Sequence, residues 1–349
     1  VSGLFCIHGH FYQPAREHLW LEAVEVEDSA APFHDWNARV TAECYAPNGT
    51  ARILDERGRI VRIASNYENI SFDFGPTLLR WLERHAPDVY AQIVRADRRS
   101  LAARGYGNAV AHPYGHLILP LASRRDKTTQ VRWGIADFRH RFGRFPEGMW
   151  LPETAVDLET LAVLAECGIA FTILAPHQAA RVRLAPGGGW VDVDPRLLDT
   201  GRPYLCRPGS GLSIALFFYE GAASHEIAFG PLLQNGGALA GRLLGLAGDP
   251  ELAAGRLVHV ATDGETYGHH HRFGEMALAY AVRVLERAGG QMTNYAAFLA
   301  DHPPTHEVQI HECTSWSCAH GIERWRADCG CRTRPGWHQR WRAPLRETL

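Results

Sequence analysis

Hydrophobic positions along the chain fall into short apolar runs, separated by segments in which apolar residues recur every three or four positions. The runs Leu4 to His8, Ile60 to Ala64, Gly107 to Ala111, Gly148 to Leu151, Phe171 to Ala175, Ile214 to Phe218 and Leu257 to Thr262 are too short for helices and read as strands. Pro76 to His85, Asp88 to Ala103, Thr128 to Phe142, Asp157 to Cys167, Ser224 to Leu246 and Phe273 to Ala288 carry Leu, Val, Ala and Trp at helical spacing. Strand then helix, repeated, predicts an α/β protein with a parallel sheet. About seven such strands suit a barrel better than a short open sheet, which is the alternative.

Two stretches break the rhythm. Residues 181 to 212, with APGGGW, DVDPR and CRPGSG, read as a long Gly/Pro-rich excursion from the main domain, because the alternation resumes after it. Beyond Pro303 the chain turns rich in Trp, Arg, Cys and His, with no clear strand. The expected organisation is a catalytic barrel over residues 1–300 and a helical or irregular cap over residues 301–349 that completes the cleft.

Composition adds exclusions. The 36 basic and 38 acidic side chains leave a net charge of −2, which gives no electrostatic footprint for nucleic acid or a membrane surface. No apolar run approaches the ~20 residues of a membrane span. The N-terminus, VSGLFCIHGH, lacks the basic region and long apolar core of a signal peptide, so a cytoplasmic protein is expected; it does not begin with Met and reads as trimmed. Cys6, Cys44, Cys167 and Cys206 are scattered among apolar neighbours, as small core residues are. Cys313, Cys318, Cys329 and Cys331 crowd together near the end, and in a reducing compartment such a cluster suggests metal more than disulfide.

In a parallel barrel the working groups sit at the C-terminal ends of the strands. Four of the expected strand ends carry functional side chains: His8 and His10, Asn108 and His112, Glu153, and Asp263 with Glu265. Two carboxylates from different strands, Glu153 and Asp263, are what hydrolysis of a glycosidic bond requires. A lone Glu at a helix start more often serves the helix dipole, but a second acid at another strand end weakens that reading. The rival is a metal site: His8 and His10 with Asp263 could chelate zinc, as in a zinc-dependent deacetylase or an α-mannosidase-like hydrolase. The run His269, His270, His271 is a solvated loop from which at most His269 reaches the cleft.

HGHFYQP, GNAVAHPYGHLILPL, GMWLPETA, ATDGETYG and SWSCAHGIERW, in that order, resemble the successive signatures of glycoside hydrolase family 57. The resemblance runs from residue 8 to about residue 325. It implies a distorted (β/α)7 barrel and a retaining enzyme on α-linked glucans: an amylase, a 4-α-glucanotransferase or a branching enzyme. It implies Glu153 as nucleophile and Asp263 as general acid/base, with His8 and His10 lining the scissile sugar and Trp150 and Trp316 stacking on sugar faces. The family's second signature usually carries a glutamate a few residues after its glycine; the matching stretch here, from Gly107 to Val110, has no acid, and Asn108 is the substitute substrate hydrogen-bonding candidate; a crippled, glucan-binding relative is the non-enzymatic alternative. ECTSWSCAHG…DCGC and FFYEG…AF mark a subgroup whose members run longer at the C-terminus, so RAPLRETL reads as the end of a truncated portion. No cofactor is implied for catalysis. Cys318, His320, Cys329 and Cys331 offer a structural zinc site; lining of the substrate by His320 and a plainly packed tail are the competing readings.

Overall fold

The computed structural model describes residues 3–248, 255–331 and 338–348; residues 332–337 and 349 of the expected cap lie outside it. In chain order the strands are β1 (Leu4–Phe11), β2 (Ala51–Leu54), β3 (Ile60–Ala64), β4 (Ser71–Phe74), β5 (Phe171–Leu174), β6 (Ala179–Leu184), β7 (Val191–Asp192), β8 (Tyr204–Gly209), β9 (Leu212–Phe218), β10 (Leu257–Asp263), β11 (Gln291–Met292) and β12 (His306–Ile310).

β1 is the hub. It runs parallel to β10 on one side and to β4 and the short β11 on the other. From β4 the parallel order continues through single bridges, Phe72 to Ala109, Ala111 to Met149 and Gly148 to Phe171, and then through the β5–β9 ladder. Beyond β9, the Glu220 N–H donates to His259 O on β10 at 2.9 Å. This is a distorted (β/α)7 barrel: two of its seven parallel segments are reduced to bridges, and among the described residues no ladder closes β9 onto β10. Its walls are apolar on both faces, with Phe5, Ile7, Phe72, Ile173, Phe217 and Val260 all buried.

The helices begin and end where local chemistry dictates. Ser123 and Asp157 cap helices Arg124–Phe142 and Leu158–Glu166 by accepting from Asp126 N and Thr160 N. Helices Pro76–His85 and Pro87–Arg104 open with Pro in the first turn, where its missing N–H costs nothing.

Several sequence expectations need correction. Gly107 to Ala111 and Gly148 to Leu151 pair through bridges only. Ile60 to Ala64 is a strand, but it makes a largely exposed hairpin with β2 off the barrel; the second barrel strand is β4, which the apolar pattern passed over. The segment Ser224 to Leu246 is two helices, Gly221–Phe229 and Gly236–Ala247, broken where Asn235 caps the second. The excursion at 181–212 takes in most of β6 and all of β7 and β8. With β12, which lies in the region expected to lack strands, these extend the β5–β9 sheet in the order β5-β9-β8-β12-β6-β7. Strand structure among the described residues therefore continues to Ile310, past the change of pattern at Pro303.

Candidate active site

Pairing register builds the centre of the site. His10 on β1 stands opposite Asp263 of β10 on one side and Asp73 of β4 on the other. His8 and His10, two residues apart, present their rings to the same face of β1, and both reach Asp73. His8 Nε2 lies 3.1 Å from Asp73 Oδ1 and its Nδ1 3.0 Å from Ser71 Oγ; His10 Nδ1 lies 2.8 Å from Asp73 Oδ2. All of these groups are buried. Burial holds His8 neutral, below its ordinary pKa, so one nitrogen donates to Asp73 and the other accepts from Ser71. For His10 burial again opposes charge, but Asp73, Asp263 and Glu265 outweigh it and push the ring up to about 9. Asp73 is held well below the carboxylate range: burial raises it, and His10 and the hydrogen bonds from both rings more than reverse that.

Further histidines extend the cluster. His10 Nε2 is 3.1 Å from His116 Nε2, and His112 donates from Nδ1 to Pro113 O at 2.6 Å. Burial and the charge of His10 keep His112 down at about 4, and burial with its histidine neighbours keeps His116 well below its usual value. Tyr12 stacks on His116 with ring centroids 3.7 Å apart. The Tyr12 N–H donates to Glu265 Oε1 at 3.1 Å, and the same oxygen accepts from Tyr45 OH at 2.5 Å. Glu265 is buried, which is the main reason its pKa climbs to about 7; Asp263 adds to the rise while Tyr45 and His10 oppose it.

The loop that brings Asp263 and Glu265 here depends on two glycines. A Cβ on Gly264 would lie 2.3 Å from the Phe11 ring, and Gly268 takes φ +148° with Glu43 O only 2.4 Å from where its Cβ would be. Asp263 is open to solvent, yet protein crowds round its carboxylate. That partial desolvation is the largest influence and raises its pKa; Glu153 and Asp73 raise it further, and His10 pulls it down.

Glu153 sits on a strained turn. It and Thr154 both adopt left-handed backbone, φ +57° and +48°, which is rare for a β-branched residue such as Thr. Buried Gln178 holds the turn: its Oε1 accepts from Thr154 Oγ1 at 2.9 Å and its Nε2 donates to Thr154 O at 2.8 Å. The Glu153 carboxylate accepts two hydrogen bonds from the tail, from Trp316 Nε1 at 3.1 Å and Ser317 Oγ at 2.8 Å, and Trp316 N donates to Glu153 O at 3.1 Å. Trp150 lies underneath, fully buried, stacked on His8 at 4.8 Å and on His10 at 5.3 Å, with Trp316 edge-on at 5.1 Å.

The sequence-derived residues thus divide. Glu153, Asp263, His10, Glu265 and Trp316 are brought together. His8 and Trp150 form the floor beneath them: both are buried, so neither ring face is open to a sugar. Asn108 is a core crosslink: its Oδ1 accepts from Ser100 Oγ at 2.8 Å and its Nδ2 donates to Tyr67 O at 3.0 Å. His269 turns to Glu43, with Nδ1 2.5 Å from Oε2, and stands edge-on to Trp36. His320 turns its Nδ1 to the sulfurs of Cys318 and Cys331. The metal set His8, His10 and Asp263 is not assembled, because both His8 nitrogens are engaged by Asp73 and Ser71. Asp73, Tyr45, His116, Gln178 and Ser317 were missed. His116 lies inside GNAVAHPYGH and Ser317 inside SWSCAHG, so position pointed at those two; for Asp73 the only signal was the alternation in SFDF.

The sequence profile of glycosyl hydrolase family 57 matches residues 11–311. The chain belongs to that family. Among curated relatives, alpha-amylase 1 of Dictyoglomus thermophilum is 29% identical over 105 residues, 30% of this chain and 15% of the relative. The 4-alpha-glucanotransferase of Thermococcus litoralis is 24% identical over 174 residues, 50% of this chain and 21% of the relative. Among solved structures, an exo-type maltose-forming amylase from Pyrococcus sp. ST04 superposes with a TM-score of 0.72 at 17% identity, over 98% of this chain and 60% of that one. At that identity the likeness speaks for the fold. In each case the match spans less than two thirds of the relative's own length. The residues from Glu312 onward, with both tail donors to Glu153, lie beyond the region that the family profile matches.

Proposed function

We propose that this family 57 chain is a retaining glycoside hydrolase or glucanotransferase acting on α-linked glucans. Glu153 attacks the anomeric carbon and Asp263 protonates the departing oxygen; Asp263 then takes the proton from water or an acceptor sugar as the glycosyl-enzyme breaks down. The observation that carries the reading is the unlike environment of the two carboxylates. Glu153 accepts hydrogen bonds from Trp316 and Ser317, which fix the direction of its carboxylate. Asp263 is raised by crowding and by Glu153 itself, which favours the protonated form an acid needs. His10, charged and beside both Asp73 and Asp263, supplies a cation at the same row.

The test is turnover of a panel of α-glucans, with anomeric configuration followed by NMR. Retention of configuration, with activity abolished in both Glu153→Gln and Asp263→Asn, is the expected result. Inversion, or glucan binding without turnover, overturns it.

A second reading is favoured by one observation. His10 and His112 each turn Nδ1 to an oxygen, and with His116 they offer ligand nitrogens within 4.8 Å of one another; His112 Nε2 has no protein partner. Metal-bound imidazoles are oriented in this way. A zinc-dependent hydrolase on these three rings would lose activity to chelator in step with a metal that survives mutation of the tail cysteines.

A further inference from the structure

Four side chains of the tail converge on one another. Cys318 Sγ lies 3.9 Å from Cys329 Sγ, 3.8 Å from Cys331 Sγ and 3.7 Å from His320 Nδ1; Cys331 Sγ lies 3.6 Å from the same nitrogen. All four ligand atoms fall within 4.8 Å of one another. A tetrahedron with Zn–S of ~2.3 Å and Zn–N of ~2.0–2.1 Å has S–S edges of roughly 3.8 Å and S–N edges of roughly 3.6 Å. The sulfurs are too far apart for a disulfide, which needs ~2.05 Å, and all four thiols of the region are free. Thiols packed this closely without a bond or a cation would gain little from one another, since S–H groups are weak donors and acceptors.

We infer that Cys318, His320, Cys329 and Cys331 bind one zinc ion, and that this ion holds the tail against the turn that carries Glu153. Three thiolates and an imidazole fill a tetrahedral shell, so the site is closed and structural, with no open position for a reacting water. It lies where the chain has little else to order it. After Ile310 the described tail has only two short helices, Glu323–Arg326 and Arg342–Thr348. The zinc ligands begin at Cys318, the residue after Ser317.

The other side of the same loop is stitched to the site. Val156 N donates to Thr314 O at 3.1 Å and Trp316 N to Glu153 O at 3.1 Å; His177 Nε2 meets Ser315 O at 3.0 Å, and Gln178 Nε2 donates to Thr314 Oγ1 at 3.2 Å. Residues 314–317 are thus bonded to the Glu153 turn and its neighbours and run directly into the first metal ligand, Cys318. The zinc anchors the chain at that point, and the loop presents Trp316 Nε1 and Ser317 Oγ to the carboxylate. That positioning role rests on the reading of Glu153 as nucleophile; the metal site does not.

The experiment is elemental analysis of the full chain purified without chelator, followed by exchange of the metal for cobalt(II). One zinc per chain is expected, together with the intense visible bands of tetrahedral cobalt–thiolate, unchanged by added azide because the shell is closed. Cys329→Ser with Cys331→Ser should lose that metal. A second zinc surviving the double variant would belong to the histidine trio and leave the tail site standing. Because the variant could misfold, the cobalt spectrum of the unmutated chain carries the test independently. A reduced, folded chain that takes up neither zinc nor cobalt, a cobalt spectrum without thiolate character, or an unchanged metal content in the double variant overturns the proposal. For the positioning role, gentle removal of the metal should lower kcat at least tenfold with KM little changed, and zinc should restore it; an unaltered kcat in the metal-free folded chain overturns the positioning role while the metal content still decides the site.

Discussion

Trp316 Nε1 donates to Glu153 Oε2 at 3.1 Å, across 163 residues of sequence. A side chain of the irregular tail thereby touches the carboxylate at the end of the fourth barrel segment. Trp316→Phe keeps the ring and its edge contact with Trp150 but removes the donor. A hydrogen bond to a charged group is worth about 1.5–3 kcal/mol, so kcat should fall roughly ten- to a hundredfold, with Ser317→Ala following the same course. Steady-state kinetics checks this; a rise in KM with kcat intact would make Trp316 a binding residue instead.

Gln178 governs the backbone beneath that carboxylate. Gln178→Leu is close in size but cannot hold Thr154 at either atom, so the left-handed pair at Glu153 and Thr154 should relax. The cost in stability is about 1–3 kcal/mol for buried groups left unpaired, read by denaturant unfolding, and kcat should fall more than KM rises. Unchanged unfolding would mean that the turn is held by something else.

The pH dependence of stability follows from His10 and Asp73. His10 is raised to about 9 in the folded protein against ~6.5 unfolded. It therefore contributes stability that is fully present below ~6.5 and lost as pH rises through about 9. Asp73 is depressed, so its contribution is present above ~3.9 and lost as pH falls through its folded value. Asp73→Asn removes the second effect and the largest of the influences that raise His10: it should destabilise the protein by about 3–5 kcal/mol at pH 6 and make the fall in stability between pH 7 and 9 shallower. Unfolding curves at several pH values measure both. A slope unchanged in the variant contradicts the pairing.

Part of this was legible in the sequence. The alternation of apolar runs and helical segments gave the α/β class, and the acids at strand ends marked Glu153 and Asp263. His8 and His10 lie two apart on a strand, so their common face could be read from spacing. Their partner could not: Asp73 comes from a four-residue strand flanked by phenylalanines, and only the register of β1 with β4 sets it beside them. Ile60 to Ala64 shows the converse, an apolar run that forms an exposed hairpin because nothing in a local pattern states which strand it will join. Asn108 sits next to a barrel bridge, but its side chain points into the core, where Ser100 and Tyr67 take it up. Position at a strand end does not fix the direction of a side chain.

That last point is testable. Asn108→Ala should lower stability by about 1–3 kcal/mol and leave KM for glucan unchanged in the folded fraction. A selective rise in KM would restore Asn108 as a substrate-binding residue.

His10 also sets the proton affinity of Asp263. Its charge lowers the Asp263 pKa, whereas Glu153 and Asp73 raise it. The alkaline limb of kcat/KM reports loss of the acid's proton. His10→Gln removes the cation, so that limb should move to higher pH even as the rate drops. A limb that stays or moves down would separate His10 from Asp263.

The most direct test of the central claim is covalent trapping. Incubation with 5-fluoro-α-D-glucosyl fluoride, followed by proteolysis and mass spectrometry, should find one added fluoroglucosyl group, and only on the peptide containing Glu153, with none in Glu153→Gln. An adduct on any other residue of an active enzyme, or full turnover by Glu153→Gln, would contradict the account.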